Sequence, residues 1–327
     1  MLPDELGEPR ILSKLCVLST SAPLAPPIRN EVDQFFQNNG GISLFYPVDP
    51  YIHYGSEEFL FSANAASDRL KALKYFLESQ ELGVALVARG GVGAHELLSE
   101  RLRSDVKEAL GGKQKVLCGF SDFTVLLLAL YGLDGLTLIH GPSLLGFRSE
   151  VPEKLRCENL KSLLRLLKGD CELLSSKEIS LISGAAGEPV IAPLIGGNLS
   201  VLCSMVGTPF LPDFQGALLL LEDVGEAPHS IYRNLCHLGA SGLLDEVQGV
   251  LLGEFTRCSH RAGKGPELSE VFQQFFARWS FPVYSTTAFG HGEQNRALPL
   301  GRDVRCSPEG VSLVKPLSLN VQPVRFR

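Results

Sequence analysis

The amino-acid sequence predicts an α/β protein whose first half carries a parallel sheet and whose second half is richer in β-strands. Two patterns lead to this prediction. Up to about residue 145, short apolar runs alternate with helical patterns, and strands that alternate with helices form a parallel sheet covered on both faces. After residue 190, strand candidates follow one another with glycine and proline between them, which indicates a second, β-rich part.

The first half contains five predicted strands and four predicted helical segments. Ser67–Ser79 is one of the helices, because its apolar residues recur at close to helical spacing. The strands are Leu15–Leu18, Ile42–Tyr46, Val84–Ala88, Val116–Cys118 and Leu136–Ile139. The helices are Ile28–Asn38, Ser67–Ser79, a segment that runs from the glycine-rich turn at 89–93 through Leu102, and Phe123–Tyr131.

The second half begins with a leucine-rich amphipathic helix, Lys154–Leu167. A polar, turn-rich stretch, Gly169–Glu188, follows it, and we expect this stretch to be a linker. Beyond it, one short helix is predicted at Ile231–Leu238, among strands at Ala217–Leu221, Val247–Leu252, Val283–Ser285 and Val311–Val314. We therefore expect an N-terminal α/β domain (1–150), a helix and linker (151–188) and a β-rich C-terminal domain (189–327).

Composition and charge argue against several classes of protein. Apolar residues make up 45% of the 327 residues and charged residues 20%, which is ordinary for a soluble protein with a core. The formal net charge is −6 and no dense block of Lys or Arg appears, so we expect no nucleic-acid partner. The N-terminus lacks the features of a signal peptide. The chain contains no apolar run of 18 or more residues, so we expect no membrane-spanning helix.

The cysteines indicate a reducing compartment. Eight of them are scattered along the chain without a CxxC pair. Several lie in apolar runs, so we expect reduced, mostly buried thiols in a cytoplasmic protein. Metal ligation is not expected without tight spacing of Cys and His.

A candidate nucleophile lies in the segment Gly119–Asp122, between a predicted strand and a predicted helix. A serine in such a sharp turn projects its hydroxyl from the sheet edge, and the N–H groups at the helix start can stabilise an oxyanion in the same space. The turn resembles a nucleophile elbow, although Thr124 stands where the last glycine is usual. The alternative, which the local pattern alone favours, is that Ser121 merely caps the helix.

Two further candidate sites follow apolar strands. Glu222 and Asp223 end the run Leu219–Leu221, at the carboxyl edge where sites in α/β folds gather, and one carboxylate could orient a histidine. His291 stands between two glycines, and histidine suits a general base near neutral pH. Two alternatives are about as well supported, namely that the two acids are simply solvated loop residues and that His291 is an ordinary turn residue. In the order Ser–Glu–His, the three sites supply all parts of an acyl-transfer centre.

Two glycine-rich loops complete the candidate site. The segment Arg89-Gly90-Gly91-Val92-Gly93 follows a predicted strand but lacks the spacing of a nucleotide-binding loop. Its N–H groups are therefore candidates for a second oxyanion donor. Gly196–Ser200 is interpreted as a loop of close approach that leads into a helix, with simple helix capping as the alternative.

Seven short motifs, spread from residue 88 to residue 292, form an ordered set. They are Ala88-Arg89-Gly90-Gly91-Val92-Gly93, Gly119-Phe120-Ser121-Asp122, His140-Gly141-Pro142, Gly196-Gly197-Asn198-Leu199, Leu221-Glu222-Asp223-Val224-Gly225-Glu226, Gly253-Glu254-Phe255 and Phe289-Gly290-His291-Gly292. The set resembles the LD-carboxypeptidases, a family of serine peptidases that includes muramoyl-tetrapeptide carboxypeptidase and the microcin C self-immunity peptidase.

The resemblance implies a fold, a site and an activity. The implied fold is a flavodoxin- or Rossmann-like N-terminal α/β sandwich followed by a barrel-like, β-rich C-terminal domain. The implied activity is release of the terminal D-alanine from a murein tetrapeptide, across an L-to-D bond, in cell-wall recycling, by a homodimer without metal or cofactor. The implied triad and oxyanion donors are Ser121, His291 and Glu222, and the backbone amides of Asp122 and of Gly90 or Gly91.

Substrate specificity is where the chain departs from the family pattern. Val92 stands where the family usually has tyrosine, and Phe120 where tyrosine is frequent. Arg89 and Arg233 are candidate substrate-binding residues, because a bidentate guanidinium suits a free carboxylate. Asn198, in the second glycine-rich loop, is a third candidate. For each arginine, a structural ion pair is an equal alternative.

Other functions stay open at this point. One is the same chemistry on a peptidyl or aminoacyl nucleotide. Another is a catalytically silent muropeptide-binding protein, against which the intact Ser, Glu and His argue. A nucleotide-binding protein has only the glycine-rich turn in its favour. The aromatic-rich segment Asp49–Ser62 is either a loop over the site or part of the packing.

Overall fold

Two sheets flanked by helices make up the computed structural model, which describes residues 12–25, 27–48, 61–184, 187–260 and 265–318. The first sheet contains β1 (Lys14–Leu18), β2 (Ser43–Phe45), β3 (Val84–Val87), β4 (Lys115–Gly119), β5 (Leu136–His140) and β12 (Leu298–Leu300). The second contains β6 (Glu172–Ser175), β7 (Ser180–Ser183), β8 (Val190–Asn198), β9 (Leu218–Val224), β10 (Gly249–Thr256), β11 (Val283–Gly290), β13 (Asp303–Ser307) and β14 (Gly310–Leu313).

Nine α-helices are present in the described part of the chain. They are α1 (Ile28–Asn38), α2 (Ala66–Glu78), α3 (Leu102–Leu110), α4 (Thr124–Ala129), α5 (Glu153–Leu167), α6 (Leu199–Met205), α7 (Pro228–Ala240), α8 (Leu243–Glu246) and α9 (Leu268–Phe276). Short 3-10 turns occur at Ala94–Leu97, Ser121–Phe123 and Leu144–Phe147.

The first sheet confirms the parallel sheet predicted for the first half. Its strand order is β12-β5-β4-β3-β1-β2, and β1 to β5 are parallel to their neighbours. Strands β3, β4 and β5 are buried along their whole length, as expected for parallel strands covered on both faces. The five predicted strands coincide with β1 to β5.

The helix expected from the glycine-rich turn through Leu102 is wrong. The chain makes one 3-10 turn at Ala94–Leu97, becomes extended at Leu98 (φ −72°, ψ 130°) and starts α3 at Leu102. Both Leu97 and Leu102 are buried in the same core. Residues five apart on one α-helix point about 140° apart, so a continuous helix would not turn both leucines onto that core.

The second sheet corrects two expectations. Its order is β6-β14-β13-β8-β9-β10-β11-β7, with β8 to β11 parallel and the outer strands antiparallel. The expected linker, Gly169–Glu188, instead supplies β6 and β7, which lie at opposite edges of the sheet. Among the described residues no strand pairing joins these two edges, so the barrel-like closure is not seen.

The C-terminal part is also more helical than expected, since the sequence predicts only Ile231–Leu238 and a helix that follows the loop at Gly196–Ser200. Parallel neighbouring strands need crossover connections, which are usually helices. Here α6 connects β8 to β9, α7 and α8 connect β9 to β10, and α9 connects β10 to β11. The four parallel strands therefore account for the extra helices.

One strand of the first sheet comes from beyond the predicted domain boundary. Strand β12 comes from the C-terminal part of the chain, yet it pairs antiparallel with β5 of the first sheet. The division into 1–150, 151–188 and 189–327 stays a prediction. All eight cysteines are free and five are buried. Within the described ranges, no helix has the length and apolar character that crossing a membrane requires.

Candidate active site

Ser121 occupies the sharp turn between β4 and α4. Its φ angle is 63°, a left-handed conformation that is costly for a residue with a Cβ atom. Gly119 packs so closely that an added Cβ would lie 2.8 Å from side-chain atoms of both Val87 and Phe123. Neither the 3-10 turn nor α4 has a side-chain cap. Ser121 therefore does not cap the helix, and its turn has the strain expected of a nucleophile elbow.

The glycine-rich turn packs directly against Ser121. A Cβ added to Gly90 would lie 2.5 Å from both Cβ and Oγ of Ser121. The Oδ2 atom of Asp122 accepts the N–H of Ala94 at 2.8 Å, and the N–H of Ala22 donates to the carbonyl oxygen of Gly90 at 3.2 Å. These contacts hold the backbone of Gly90 and its neighbour Gly91 beside Ser121, where the predicted oxyanion donors would have to lie.

A buried arginine holds the other end of this turn. The side chain of Arg69, on α2, is fully buried and forms an ion pair with Glu96. It donates to the carbonyl oxygens of Gly93 at 2.9 Å and Thr20 at 2.6 Å. Burial lowers the pKa of this guanidinium, and Glu96 acts in the opposite direction. The sequence predicts no role for Arg69, because nothing in its local pattern separates it from a surface arginine.

Glu222 and His291 meet across three parallel strands. Glu222 lies in β9 and His291 follows β11, with β10 between them. The Nδ1–H of His291 donates to Oε2 of Glu222 at 2.6 Å. Gly290 (φ 119°) permits this approach, since an added Cβ would lie 2.9 Å from the carbonyl oxygen of Glu254. The fold thus brings together the predicted base and a carboxylate that orients it.

The two adjacent carboxylates have different surroundings. Glu222 is completely buried, and burial raises the pKa of its carboxyl, while the hydrogen bond and charge of His291 act in the opposite direction. Asp223 accepts the side-chain amide of Asn198 at 3.1 Å and the hydroxyl of Ser200 at 2.7 Å. Glu222 is therefore the carboxylate that orients His291, whereas Asp223 ties β9 to the start of α6.

Aromatic side chains and a second histidine pack behind His291. The ring centroid of Phe120 lies 4.6 Å from that of His291 and 6.0 Å from that of His140. His140 is fully buried at the end of β5, and neither of its ring nitrogens has a hydrogen-bond partner among the described residues. Burial, and then the charge of His291, lower the pKa of His140 from 6.5 to about 3. His140 is consequently a neutral, apolar-packed ring at the base of the site.

Two of the predicted catalytic residues, Ser121 and His291, line one cavity of about 700 Å³, and Glu222 lies buried behind His291. The cavity lies between the carboxyl edges of the two sheets, where sites in α/β folds are expected. The predicted residues that line it are Arg89, Gly90, Gly91, Phe120, Ser121 and His291. Other lining residues, for which the sequence offered no separate signal, lie after β5, in α5 and at the end of β10, and include Ser143, Arg148, Asn159, Thr256 and Arg257. The described residues contain no group of three His, Cys, Asp or Glu side chains that could hold a metal ion.

The predicted substrate-binding residues have three different positions. Arg89 lines the cavity, and its Nη1 donates to the carbonyl oxygen of Pro23 at 3.1 Å. Asn198 is buried and caps α6 by accepting the N–H of Val201 at 3.1 Å. Arg233 is exposed on α7. Neither Asn198 nor Arg233 is among the described residues that line the cavity.

Val92 and Phe120, the two positions that depart from the family pattern, differ in their relation to the cavity. Phe120 lines the cavity, whereas Val92 is 57% exposed and is not among its described lining residues. The prediction that Val92 lies in the pocket is wrong. In this turn Gly90 packs against Ser121, and the side chain of Val92 lies at the surface. Most of the segment Asp49–Ser62, namely 49–60, lies outside the described residues.

Comparison with known proteins covers both halves of the chain. The profile of the LD-carboxypeptidase N-terminal domain matches residues 16–141, and that of the LD-carboxypeptidase C-terminal domain matches residues 192–306. The murein tetrapeptide carboxypeptidase of Pseudomonas aeruginosa is 32% identical over 250 residues, which cover 75% of this chain and 78% of that protein. The probable murein peptide carboxypeptidase of Bacillus subtilis is 28% identical over 301 residues, which cover 90% and 89%.

A solved structure resembles the whole fold. It is the microcin C7 self immunity protein MccF in complex with aspartyl sulfamoyl adenosine, with a TM-score of 0.78 and 20% sequence identity. The likeness covers 95% of this chain and 98% of that chain. At this identity the likeness is one of fold. Together with the two domain profiles, these matches show that the chain belongs to the LD-carboxypeptidase family.

Proposed function

We propose that this protein is a serine-type LD-carboxypeptidase that releases the terminal D-alanine from murein tetrapeptides in cell-wall recycling. One observation carries the proposal: His291 donates to the buried Glu222 at 2.6 Å, at a cavity that also contains the strained Ser121. A carboxylate-oriented histidine beside such a serine is suited to acyl transfer. The name of the Pseudomonas aeruginosa relative, murein tetrapeptide carboxypeptidase, supports the substrate.

In the acylation step, Oγ of Ser121 attacks the scissile carbonyl carbon while His291 takes its proton. The backbone amides of Asp122 and of Gly90 or Gly91 donate to the oxyanion. Glu222 stabilises the imidazolium that forms. His291 then passes the proton to the leaving nitrogen as the C–N bond breaks, which leaves the acyl-enzyme and a free D-amino acid.

In the deacylation step, a water molecule attacks the acyl-enzyme by the same route. His291 takes a proton from the water and returns it to Oγ of Ser121 as the ester bond breaks. The product is the shortened peptide, and the enzyme returns to its starting state.

A second candidate is the same chemistry on a peptidyl or aminoacyl nucleotide. The likeness of fold to MccF favours it, because that structure is in complex with aspartyl sulfamoyl adenosine. A cavity of about 700 Å³ lies in the size range of pockets for drug-sized ligands. Cavity size therefore accommodates either class of substrate, and turnover has to distinguish them.

The deciding experiment measures D-alanine release from murein tetrapeptide by the wild type and by Ser121→Ala, with fluorophosphonate labelling of both. Labelling and release that both disappear in Ser121→Ala would support the proposal. Labelling of Ser121 without D-alanine release, but with hydrolysis of an aminoacyl sulfamoyl adenosine, would favour the second candidate. Wild-type protein that is neither labelled nor active would be a silent binding protein. The cytoplasmic location and the homodimer stay predictions.

A further inference from the structure

Two non-glycine residues in the described part of the chain have a left-handed backbone, and both line the same cavity. They are Ser121, with φ of 63°, and Arg257, with φ of 56°. Strained residues of this kind persist only where the surrounding structure holds them, and they cluster at catalytic and ligand sites. The turn of the nucleophile accounts for the strain at Ser121, whereas Arg257 has no role in the chemical steps above.

Arg257 emerges at the same sheet edge as the catalytic pair. It directly follows β10, which lies between β9, the strand of Glu222, and β11, the strand that leads to His291. The carbonyl oxygen of Thr256 accepts the N–H of Gly225 at 2.9 Å, so the end of β10 is tied to the end of β9. The backbone that carries Arg257 is therefore held in place beside the site.

Arg257 also differs from the other arginines of the cavity in its contacts. Arg89 donates to the carbonyl oxygen of Pro23 at 3.1 Å, and Nε of Arg148 lies 3.3 Å from Oε2 of Glu150. Among the described residues, none forms a hydrogen bond or ion pair with the side chain of Arg257. Its five N–H donors thus remain available for a ligand.

The cavity wall is not uniformly cationic. Glu254 and Glu293 line it together with Glu150, and Oε1 of Glu254 accepts the hydroxyl of Thr256 at 3.3 Å. A general attraction for anions is therefore not expected. In a wall with both acidic and basic side chains, the unpaired guanidinium of Arg257 instead provides one position at which a negatively charged group of a ligand can bind.

The chemistry of hydrolysis determines on which side a terminal carboxylate must lie. His291 gives its proton to the leaving nitrogen, so the leaving amino acid lies on the His291 side of the cavity. In a carboxypeptidase, the carboxylate of that amino acid is joined to the nitrogen through a single carbon atom. We therefore expect the cation that binds it on the wall formed by the ends of β9, β10 and β11, which carries Arg257, rather than on the wall that carries Arg89.

We propose that the guanidinium of Arg257 binds the terminal carboxylate of the substrate, an assignment that rests on the proposed function. The arginine fork matches a carboxylate with two parallel charge-assisted hydrogen bonds. Arg257 thus selects peptides that end at the residue after the scissile bond. This contact restricts the enzyme to the removal of a single terminal residue.

The test compares two ligands that differ in one group: a murein tetrapeptide with a free terminal carboxylate and the same peptide with a terminal amide. Calorimetry measures their binding to the full-length Ser121→Ala protein, with and without Arg257→Gln. With Arg257 present, we expect the acid to bind roughly tenfold or more tightly than the amide. With Arg257→Gln the two peptides should bind about equally, and Arg257→Lys should give an intermediate ratio because it keeps the charge and loses the fork.

The matched control is Arg101→Gln, which changes an exposed arginine next to α3 and should leave the ratio unchanged. Equal binding of acid and amide with Arg257 present would overturn the assignment, and so would a ratio that Arg257→Gln does not change. The ratio does not depend on turnover. Failure to release D-alanine therefore counts against the proposed function, whereas failure of the ratio counts against Arg257.

Discussion

At the scale of one residue, the left-handed backbone of Ser121 (φ 63°) lowers the free energy of unfolding of the protein. A left-handed backbone costs a residue with a Cβ atom about 1–2 kcal/mol, and glycine avoids that cost at the expense of a more flexible unfolded chain. We therefore expect Ser121→Gly to exceed Ser121→Ala in free energy of unfolding by about 1 kcal/mol. Chemical denaturation of the two inert variants measures the difference. Equal midpoints would show that the turn is not strained.

His140 should make the protein sensitive to acid. Its pKa is lowered by burial from 6.5 to about 3, so between these values the unfolded chain binds a proton that the folded protein does not. The stability that His140 contributes is thus fully present above pH 6.5 and is lost as the pH falls towards about 3. The slope from one such group is about 1.4 kcal/mol per pH unit.

The variant His140→Leu should remove this component, since the ring has no protein hydrogen-bond partner to lose among the described residues and leucine conserves the volume. Urea midpoints of the wild type and the variant, measured from pH 7 down to pH 4, should therefore diverge as the pH falls, because only the wild type loses the stability that His140 contributes. His237→Gln, at an exposed position on α7, is the control and should follow the wild type. Parallel curves for wild type and His140→Leu would contradict the prediction.

At the scale of elements, the site depends on two turns that approach each other without side chains between them. A Cβ at position 90 would come within 2.5 Å of Ser121, so Gly90→Ala should displace the nucleophile or the glycine-rich turn. A misplacement of about 1 Å is enough to lower kcat/KM by roughly 100-fold. D-alanine release measures the effect.

Gly187→Ala is the control for Gly90→Ala, because no described residue lies within 4 Å of its added Cβ. It should leave kcat/KM unchanged. Circular dichroism of both variants would separate a displaced turn from an unfolded protein. Full activity of Gly90→Ala would mean that the two turns move apart more easily than their contacts imply.

At the scale of the whole molecule, β12 makes the C-terminal part of the chain a member of the first sheet. Leu298, in this strand, is completely buried, and Leu298→Ala should lower the free energy of unfolding by about 2–5 kcal/mol. The fluorescence of the single tryptophan, Trp279, reports on the second half, while circular dichroism reports on both sheets. We expect both signals to shift together in the variant, and two separate transitions would contradict this coupling.

Sequence patterns predicted much of this architecture and missed the parts that depend on distant contacts. The strands at 84–87 and 136–140 were recognisable because fully buried parallel strands are continuous apolar runs. The segment that forms β6 and β7 is predicted as a linker from its sequence, since short edge strands with polar residues resemble turns. Arg69 and Arg257 carried no local signal, because their burial and backbone strain arise only from the packed fold.

By itself, the sequence determined the fold class, the family and which serine, glutamate and histidine could act together. Local composition was sufficient, because glycines and reactive residues at strand ends follow from the backbone needs of each turn. Only the tertiary structure decided that Asn198 is a buried cap and that Arg257 lies at the cavity. These outcomes depend on the order and register of strands from distant parts of the chain. The sequence of a single segment does not determine with which strand it pairs.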